Sequence, residues 1–177
     1  MKIVVLRLGH RYVRDDRVTT HVFLVARAFG ADKVIYSGQR DEKLEVRLDD
    51  ITKMWGGSFE VEYEKDWKQT IVNWQEAQGE IVHLTAYGLP VQNVTLEIRQ
   101  SKKDKLVIVG GAKVPRIVYA LSDWNVSITS QPHSEISALG IFLHEFFEGK
   151  ELSKIFQNPK LRIIPESRGK KIMKIEP

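Results

Sequence analysis

Four arginines fall within a short stretch near the amino terminus: Arg7, Arg11, Arg14 and Arg17. A guanidinium is a planar, permanently charged fork that grips phosphate oxygens in pairs. It can also stabilise an anion that forms only in a transition state. Asp15 and Asp16 temper the cluster. Two further stretches carry the other groups that could do chemistry: Leu106-Val-Ile-Val-Gly-Gly-Ala-Lys-Val-Pro115 and Trp124-Asn-Val-Ser-Ile-Thr-Ser-Gln-Pro-His-Ser-Glu135. Gly110 and Gly111 would let the backbone turn sharply and let a ligand approach it closely. The loop Gln131-Pro-His-Ser134 could present backbone groups to an adenine or a ribose, or could simply start a helix with a Ser cap. The five histidines (His10, His21, His83, His133, His144) are scattered, with neither an HExxH pattern nor other metal-ligand spacing. No metal site is expected. His144 reads as a structural cation near a helix end, and His83 as core or sheet packing.

The elements that must position these groups alternate. Residues 2–8 read as a first strand ended by Gly9. A helix capped by Thr19 or Thr20 follows, turning Val22, Phe23, Val25, Ala26 and Phe29 inward and stopping at Gly30. A strand over Lys33–Ser37, a helix over Asp41–Trp55 and a half-exposed edge strand over Phe59–Glu64 come next. A helix over Asp66–Gln78, a strand over Glu80–Thr85 and a helix over Val91–Gln100 lead to the Leu106 stretch. Val107, Ile108 and Val109 form the apolar run of a buried parallel strand. A short helix from Pro115 to Leu121, a strand over Val126–Thr129 and a helix over His133–Glu148 complete the alternation, with a short helix possible up to Phe156. Leu161–Ile164 and Lys171–Ile175, flanking Pro165-Glu-Ser-Arg-Gly169, read as a hairpin. Strands alternating with helices imply an α/β domain on a parallel sheet. In such sheets ligands bind in the crevice at the carboxyl ends of the strands. The Gly110 and Gln131 loops would both open there.

Composition narrows the partners. The chain has 177 residues, 42% hydrophobic and 28% charged, enough for one domain with a full core. It has no cysteine, which removes disulfides, thiolate catalysis and cysteine-held zinc. No apolar run reaches the roughly 20 residues that span a bilayer, and the start is too soon charged for a signal peptide. A cytoplasmic protein without membrane contact is expected. Net charge is +4, and residues 160–177 carry six basic residues against two acidic ones, a local +4 equal to that of the whole chain. Two basic clusters suit a polyanion such as RNA, although solvated surface charge explains the totals equally well. Residues 1–159 are read as the main body of one domain, with 160–177 as its basic hairpin. Neither a P-loop nor a GxGxxG loop is present. A nucleotide-using enzyme of another class and a non-catalytic RNA-binding module both stay open on these grounds.

The motifs taken together carry a resemblance. Leu8-Gly-His-Arg11, Arg14-Asp15, Arg17, Thr19-Thr-His21 and Ala26-Arg-Ala-Phe-Gly-Ala31 are similar to the first motif of the archaeal tRNA 2′-O-methyltransferases that act on the T-loop cytidine at position 56. Val109-Gly-Gly-Ala-Lys-Val-Pro115 resembles their second motif. Gln131-Pro-His-Ser-Glu135 with Ala138-Leu139 resembles their third. The likeness covers nearly the whole chain, in the same order. It implies the SPOUT superfamily: an α/β fold with a parallel sheet whose C-terminal part threads a deep trefoil knot, a homodimer, tRNA as partner and S-adenosylmethionine as methyl donor. It also implies that loop backbone holds the adenosyl group. Carried over by position, those residues are Leu84; Gly110, Gly111, Ala112, Lys113 and Val114; and Ser127, Ile128, Thr129, Ser130, Gln131, Pro132, His133 and Ser134.

The ribose hydroxyl must lose its proton as it attacks. Many relatives assign that step to a first-motif arginine. The position where relatives with a different first motif carry it is Leu24 here, so the assignment falls on Arg17, with Arg14 second. An arginine is a poor base, and it would instead orient a phosphate that takes the proton or stabilise the developing alkoxide. The basic tail would face RNA or form part of the dimer surface. A nucleotide packed in the tRNA elbow would need local opening of the RNA.

Overall fold

The apolar runs do become buried strands. In the computed structural model, which describes residues 1–111 and 113–175, six parallel strands form one sheet: β1 (Ile3–His10), β2 (Lys33–Gly38), β3 (Glu60–Tyr63), β4 (Glu80–Pro90), β5 (Lys105–Gly110) and β6 (Trp124–Ser127). Their spatial order is β3-β2-β1-β5-β4-β6. The chain therefore builds outward from β1 to β3, returns, places β4, inserts β5 between β1 and β4, and sets β6 outside β4. The loops after β1 and β5 leave in opposite directions, which makes a topological switch point between these two strands.

Successive side chains of a strand point to opposite faces, and two cores result. One face carries Val5, Val34, Tyr36, Val82, Val107 and Val109 against helices α1 (Asp16–Ala28), α2 (Glu42–Trp55), α4 (Val91–Gln100) and α6 (Glu135–Phe147). Phe23, Leu44, Leu139 and Phe142 are fully buried there. The other face sets Val4, Leu6, Ile81, Leu106 and Ile108 against α3 (Trp67–Glu76) and α5 (Arg116–Leu121) through Ile71 and Val118. A short 3-10 helix (Lys150–Ser153) leads into an antiparallel hairpin, β7 (Leu161–Ile164) with β8 (Lys171–Lys174). Lys160 N–H donates to Met54 O at 2.9 Å, tying the hairpin to the end of α2.

Several boundaries differ from expectation, each for a local reason. β1 does not stop at Gly9 but runs on to His10, because Gly9 adopts a positive φ of 69° and lets pairing with Gly38 resume. Neither Thr19 nor Thr20 caps α1. The helix begins three residues earlier, at Asp16, and the hydroxyls serve elsewhere: Thr19 Oγ1 meets His10 Nδ1 at 2.8 Å and Thr20 Oγ1 accepts from Arg47 at 3.1 Å. Asp41 is the cap of α2 rather than its first residue, accepting from Lys43 and Leu44 N–H. In the same way Ser134 caps α6 by accepting from Ile136 N–H at 3.2 Å, so the helix starts at Glu135 and not His133. β6 covers Trp124–Ser127, since Trp124 and Asn125 pair with Val82 and His83. β4 is longer than Glu80–Thr85. It pairs with Val126 at Leu84, bulges, and meets the same Val126 again at Leu89.

Candidate active site

Two clefts open at the carboxyl ends of the strands, and Gly111 and Val114 line both. The first, of about 730 Å³, lies over the ends of β1 and β2 at Leu8, Gly9, Ser37 and Gly38, and is closed by Lys113–Pro115 and the start of α3 at Lys65 and Trp67. Among the described residues its ionisable lining is entirely cationic: Arg11, Arg14, Lys65 and Lys113. Arg11 is spoken for. Its Nε and Nη2 donate to the two oxygens of Asp15 at 2.8 and 3.0 Å. Those hydrogen bonds hold the Asp15 carboxyl below its usual range. They also explain why Asp15 offers no side-chain cap to α1. Among the described residues no ion pair involves Arg14, Lys65 or Lys113. The loop that presents Arg11 and Arg14 holds Val13 at φ 70°, a strained setting for a β-branched residue.

The second cleft, of about 370 Å³, lies over the ends of β4 and β5 and against the start of α6. Its walls are Leu84–Tyr87, Gly110, Gly111, Val114, Tyr119, His133, Glu135 and Ala138, with His83 at the floor. His83 is fully buried, as a packing residue would be. Its Nδ1 sits 2.9 Å from Asn125 Oδ1, its ring meets Tyr119 edge-on at 4.6 Å, and burial lowers its pKa against the pull of Asn125. Thr85 Oγ1 and the Tyr119 hydroxyl share a hydrogen bond of 2.9 Å. The wall made by the β4 bulge is tight. A Cβ on Gly88 would stand 2.5 Å from the Asn125 and Val126 backbone, so only glycine lets β4 fold down onto β6.

Beneath the shared wall lies Arg7. It is 2% exposed, in the carboxyl half of the central strand β1, and both terminal nitrogens would sit 3.8 Å from a Cβ on Gly111. Nη1 donates to Leu8 O and Nη2 to Glu135 Oε1 at 3.2 Å, while Nε has no partner among the described residues. Burial lowers the Arg7 pKa, opposed first by Glu135.

The residues expected from sequence divide among these features. Leu84, Gly110, Gly111, Val114 and His133 line the second cleft. Lys113 lines the cationic one instead. Ser127 is buried, with its hydroxyl on Thr129 O at 2.9 Å, and Ile128 packs on the core. Thr129, Ser130, Gln131, Pro132 and Ser134 are exposed beside the second cleft rather than in its lining. Ala112 lies outside the described residues. Arg14 faces the cationic cleft, whereas Arg17 is exposed on the first turn of α1 and lines neither cleft. Sequence reasoning passed over Glu135, although it closes the third motif. Arg7 was expected only as one of a cluster of surface charges or phosphate clamps, not as a buried partner of Glu135, and Lys65, Trp67, Tyr87 and Tyr119 were not expected at the site. An arginine inside an otherwise apolar strand was the available signal for Arg7.

Among the described residues no group of three or more His, Asp or Glu could hold a metal ion, and no helix is long and apolar enough to cross a membrane. Comparison with known proteins extends the picture. A solved TrmH/SpoU tRNA modifying enzyme from A. aeolicus superposes with a TM-score of 0.62 at 14% identity, over 86% of this chain and 77% of that one. The SpoU methyltransferase AviRb from Streptomyces viridochromogenes, solved with the cofactor AdoMet, gives 0.61 at 16% identity, over 84% and 57%. The fold is therefore the α/β parallel-sheet fold of the SPOUT proteins. A curated tRNA (cytidine(56)-2′-O)-methyltransferase from Methanothermobacter thermautotrophicus is 48% identical over 176 residues, covering 99% of this chain and 98% of that protein. Residues 55–173 match the family described as tRNA ribose 2′-O-methyltransferase, aTrm56. With the second and third motifs inside the matched span and the relative aligned from end to end, the chain belongs to the aTrm56 family of tRNA ribose 2′-O-methyltransferases.

Proposed function

We propose that this protein transfers the methyl group of S-adenosylmethionine to the ribose 2′-hydroxyl of cytidine 56 in the T-loop of tRNA. The observation that carries the reading is the pair of clefts with a common wall. One is cationic and of nucleotide size, the other is walled by the carboxyl-end residues of β4 and β5 and the start of α6, and they meet at Gly111 and Val114.

The second cleft fits the cofactor. Leu84–Tyr87 and the Gly110–Gly111 turn offer backbone groups to an adenosyl moiety, and Glu135 offers a carboxylate to a cation. The Thr129–Ser134 loop stands beside it and would close over the bound molecule. When bound, S-adenosylmethionine supplies an electrophilic methyl. The chain's own residues do the rest. Arg14, Lys65 and Lys113 bind and orient the ribose-phosphate backbone at the other side of the wall. Arg14 stabilises the oxygen that develops negative charge as the hydroxyl loses its proton. Its place on the cleft wall supports that role, while Arg17 rests on the motif alone and is assigned an RNA contact or a role in the same step.

The finer features implied by the family complete the proposal. The repeated meeting of β4 with Val126, and the close pass of Gly88 over β6, support a chain threaded there as a trefoil knot. The protein works as a homodimer in the cytoplasm. The basic segment 160–177, of which Glu176 and Pro177 lie outside the described residues, belongs to the same domain, supported by the hydrogen bond from Lys160 to Met54.

Transfer of labelled methyl to an unmodified tRNA transcript, followed by nuclease mapping, tests the reading. Label as 2′-O-methylcytidine at position 56 is the expected result. Label at another ribose would break the substrate assignment, and bound cofactor without any transfer would return the protein to RNA binding alone.

A further inference from the structure

The cofactor cleft is electrically simple. Among the described residues that line it, Glu135 is the one carboxylate, and none is a lysine or arginine. The positive partner of Glu135 is not in the cleft but behind its wall. The Arg7 guanidinium is pinned between Leu8 O and Glu135 Oε1, beneath Gly111, and is cut off from solvent. Glu135 itself stays partly open, with 22% of its side chain exposed against 2% for Arg7. The ion pair is thus polarised, with its negative end toward the cleft and its positive end in the protein. Asp15 and Arg11, the other charges acting on Arg7, are paired to each other on the far side of the wall.

Methyl transfer changes the charge of the cofactor. S-adenosylmethionine carries a sulfonium cation, and after the methyl leaves, S-adenosylhomocysteine has a neutral thioether in its place. We propose that the Arg7–Glu135 pair makes the cleft select the charged methyl donor over the neutral product, with Glu135 as the selecting group and Arg7 as the buried counter-charge that partly offsets it. The inference rests on placing the cofactor in this cleft. Physically, a carboxylate in a partly desolvated site attracts a nearby unit charge far more than it would in water. It adds little to the binding of the neutral product, so that product leaves and the donor re-enters. Removing the carboxylate leaves Arg7 buried without its counter-charge, and that cation then opposes the sulfonium.

The two ends of the pair should therefore act with opposite sign. Dissociation constants for S-adenosylmethionine and S-adenosylhomocysteine, measured by calorimetry on the full chain without tRNA, give the readout. Glu135→Gln should weaken S-adenosylmethionine by about tenfold or more and S-adenosylhomocysteine by no more than about threefold. Arg7→Met, which leaves the carboxylate unneutralised, should leave S-adenosylmethionine as tight or tighter relative to S-adenosylhomocysteine. Equal weakening of both ligands in Glu135→Gln, or loss of donor preference in a folded Arg7→Met, would overturn the inference and leave the pair as a packing strut. Failure of the unaltered protein to bind either ligand would overturn it together with the cofactor reading on which it rests.

Discussion

At the amino ends of the strands, polar groups are spent on one another. At the carboxyl ends several cations are left open. Lys105 begins β5 fully buried, and its ammonium meets Glu80 Oε2 at 2.7 Å and Lys103 O at 2.8 Å. Ser101 Oγ and Trp124 Nε1 donate to the same carboxylate at 2.7 and 2.9 Å. Asp32 and Asp123 accept the N–H groups that start β1 and β4. On this end Arg27 donates to Gly56 O at 2.6 Å and stacks on Phe156, strapping the segment that leads to the hairpin. At the other end Arg14, Lys65 and Lys113 stand without a counter-ion among the described residues, and Gly9, Gly38 and Gly111 line the cleft they face. The contrast teaches where this fold keeps its stability and where it gives stability up for binding.

The sharpest way to break that contrast is at Lys105. Lys105→Met removes the cation from a buried carboxylate and should cost about 3–5 kcal/mol in urea unfolding, with donor binding retained in whatever remains folded. Its pH dependence should also reverse. In the intact protein the hydrogen bonds from Lys105, Trp124 and Ser101 outweigh burial and hold the Glu80 pKa below its ordinary value. This stabilisation is fully present above the unfolded carboxyl pKa, about 4.3, and is lost as pH falls through the lower folded value. Without Lys105, burial dominates, the pKa rises, and unfolding should become easier as pH increases instead.

The opposite result is expected at Arg14. Arg14→Ala should slow methyl transfer by roughly 100-fold, the loss seen when one donor to a developing oxyanion is removed. The unfolding midpoint should barely move, since an exposed side chain without an ion pair contributes within about 0.5 kcal/mol. A large loss of stability with intact turnover would erase the division between the ends. Gly88→Ala sits between the two. It forces backbone apart where β4 crosses β6, and should cost about 1–3 kcal/mol while weakening cofactor binding as the wall shifts. The smallest effect belongs to Lys65→Ala. If Lys65 meets one phosphate, the slope of log affinity for tRNA against log salt should flatten by about 0.7–0.9, with the unfolding curve unchanged.

Much of the architecture was legible in the residues. The apolar run Val107–Val109 announced a buried parallel strand and became one, and the strand expected over residues 2–8 is the core of β1. Of the helically spaced residues Leu44, Leu48, Ile51 and Met54, the first two are buried and Met54 is exposed; of Ile136, Leu139, Leu143 and Phe147, Leu139 and Leu143 are buried and the other two are half-buried. Chain ends of elements were less legible, because capping depends on which oxygen is free: Thr19 had the right chemistry for a cap, but His10 claims its hydroxyl. The three motifs pointed to the strand-end crevice and to the family, and Gly110, Gly111 and Val114 do line a cleft there.

Amino-acid order alone thus determined the alternation of strands and helices, the faces they bury and the basic, cysteine-free character of the chain, since periodicity and composition report local burial and charge. It did not determine neighbours. That β5 slides between β1 and β4, that Lys113 faces one cleft while Gly111 serves both, and that Arg14 rather than Arg17 looks into the cationic one follow only from how the helices pack the strands together. The pairing of Arg7 with Glu135 spans 128 positions of sequence. Nothing local to either residue encodes it, because a buried charge finds its partner through the tertiary fold that removes it from water.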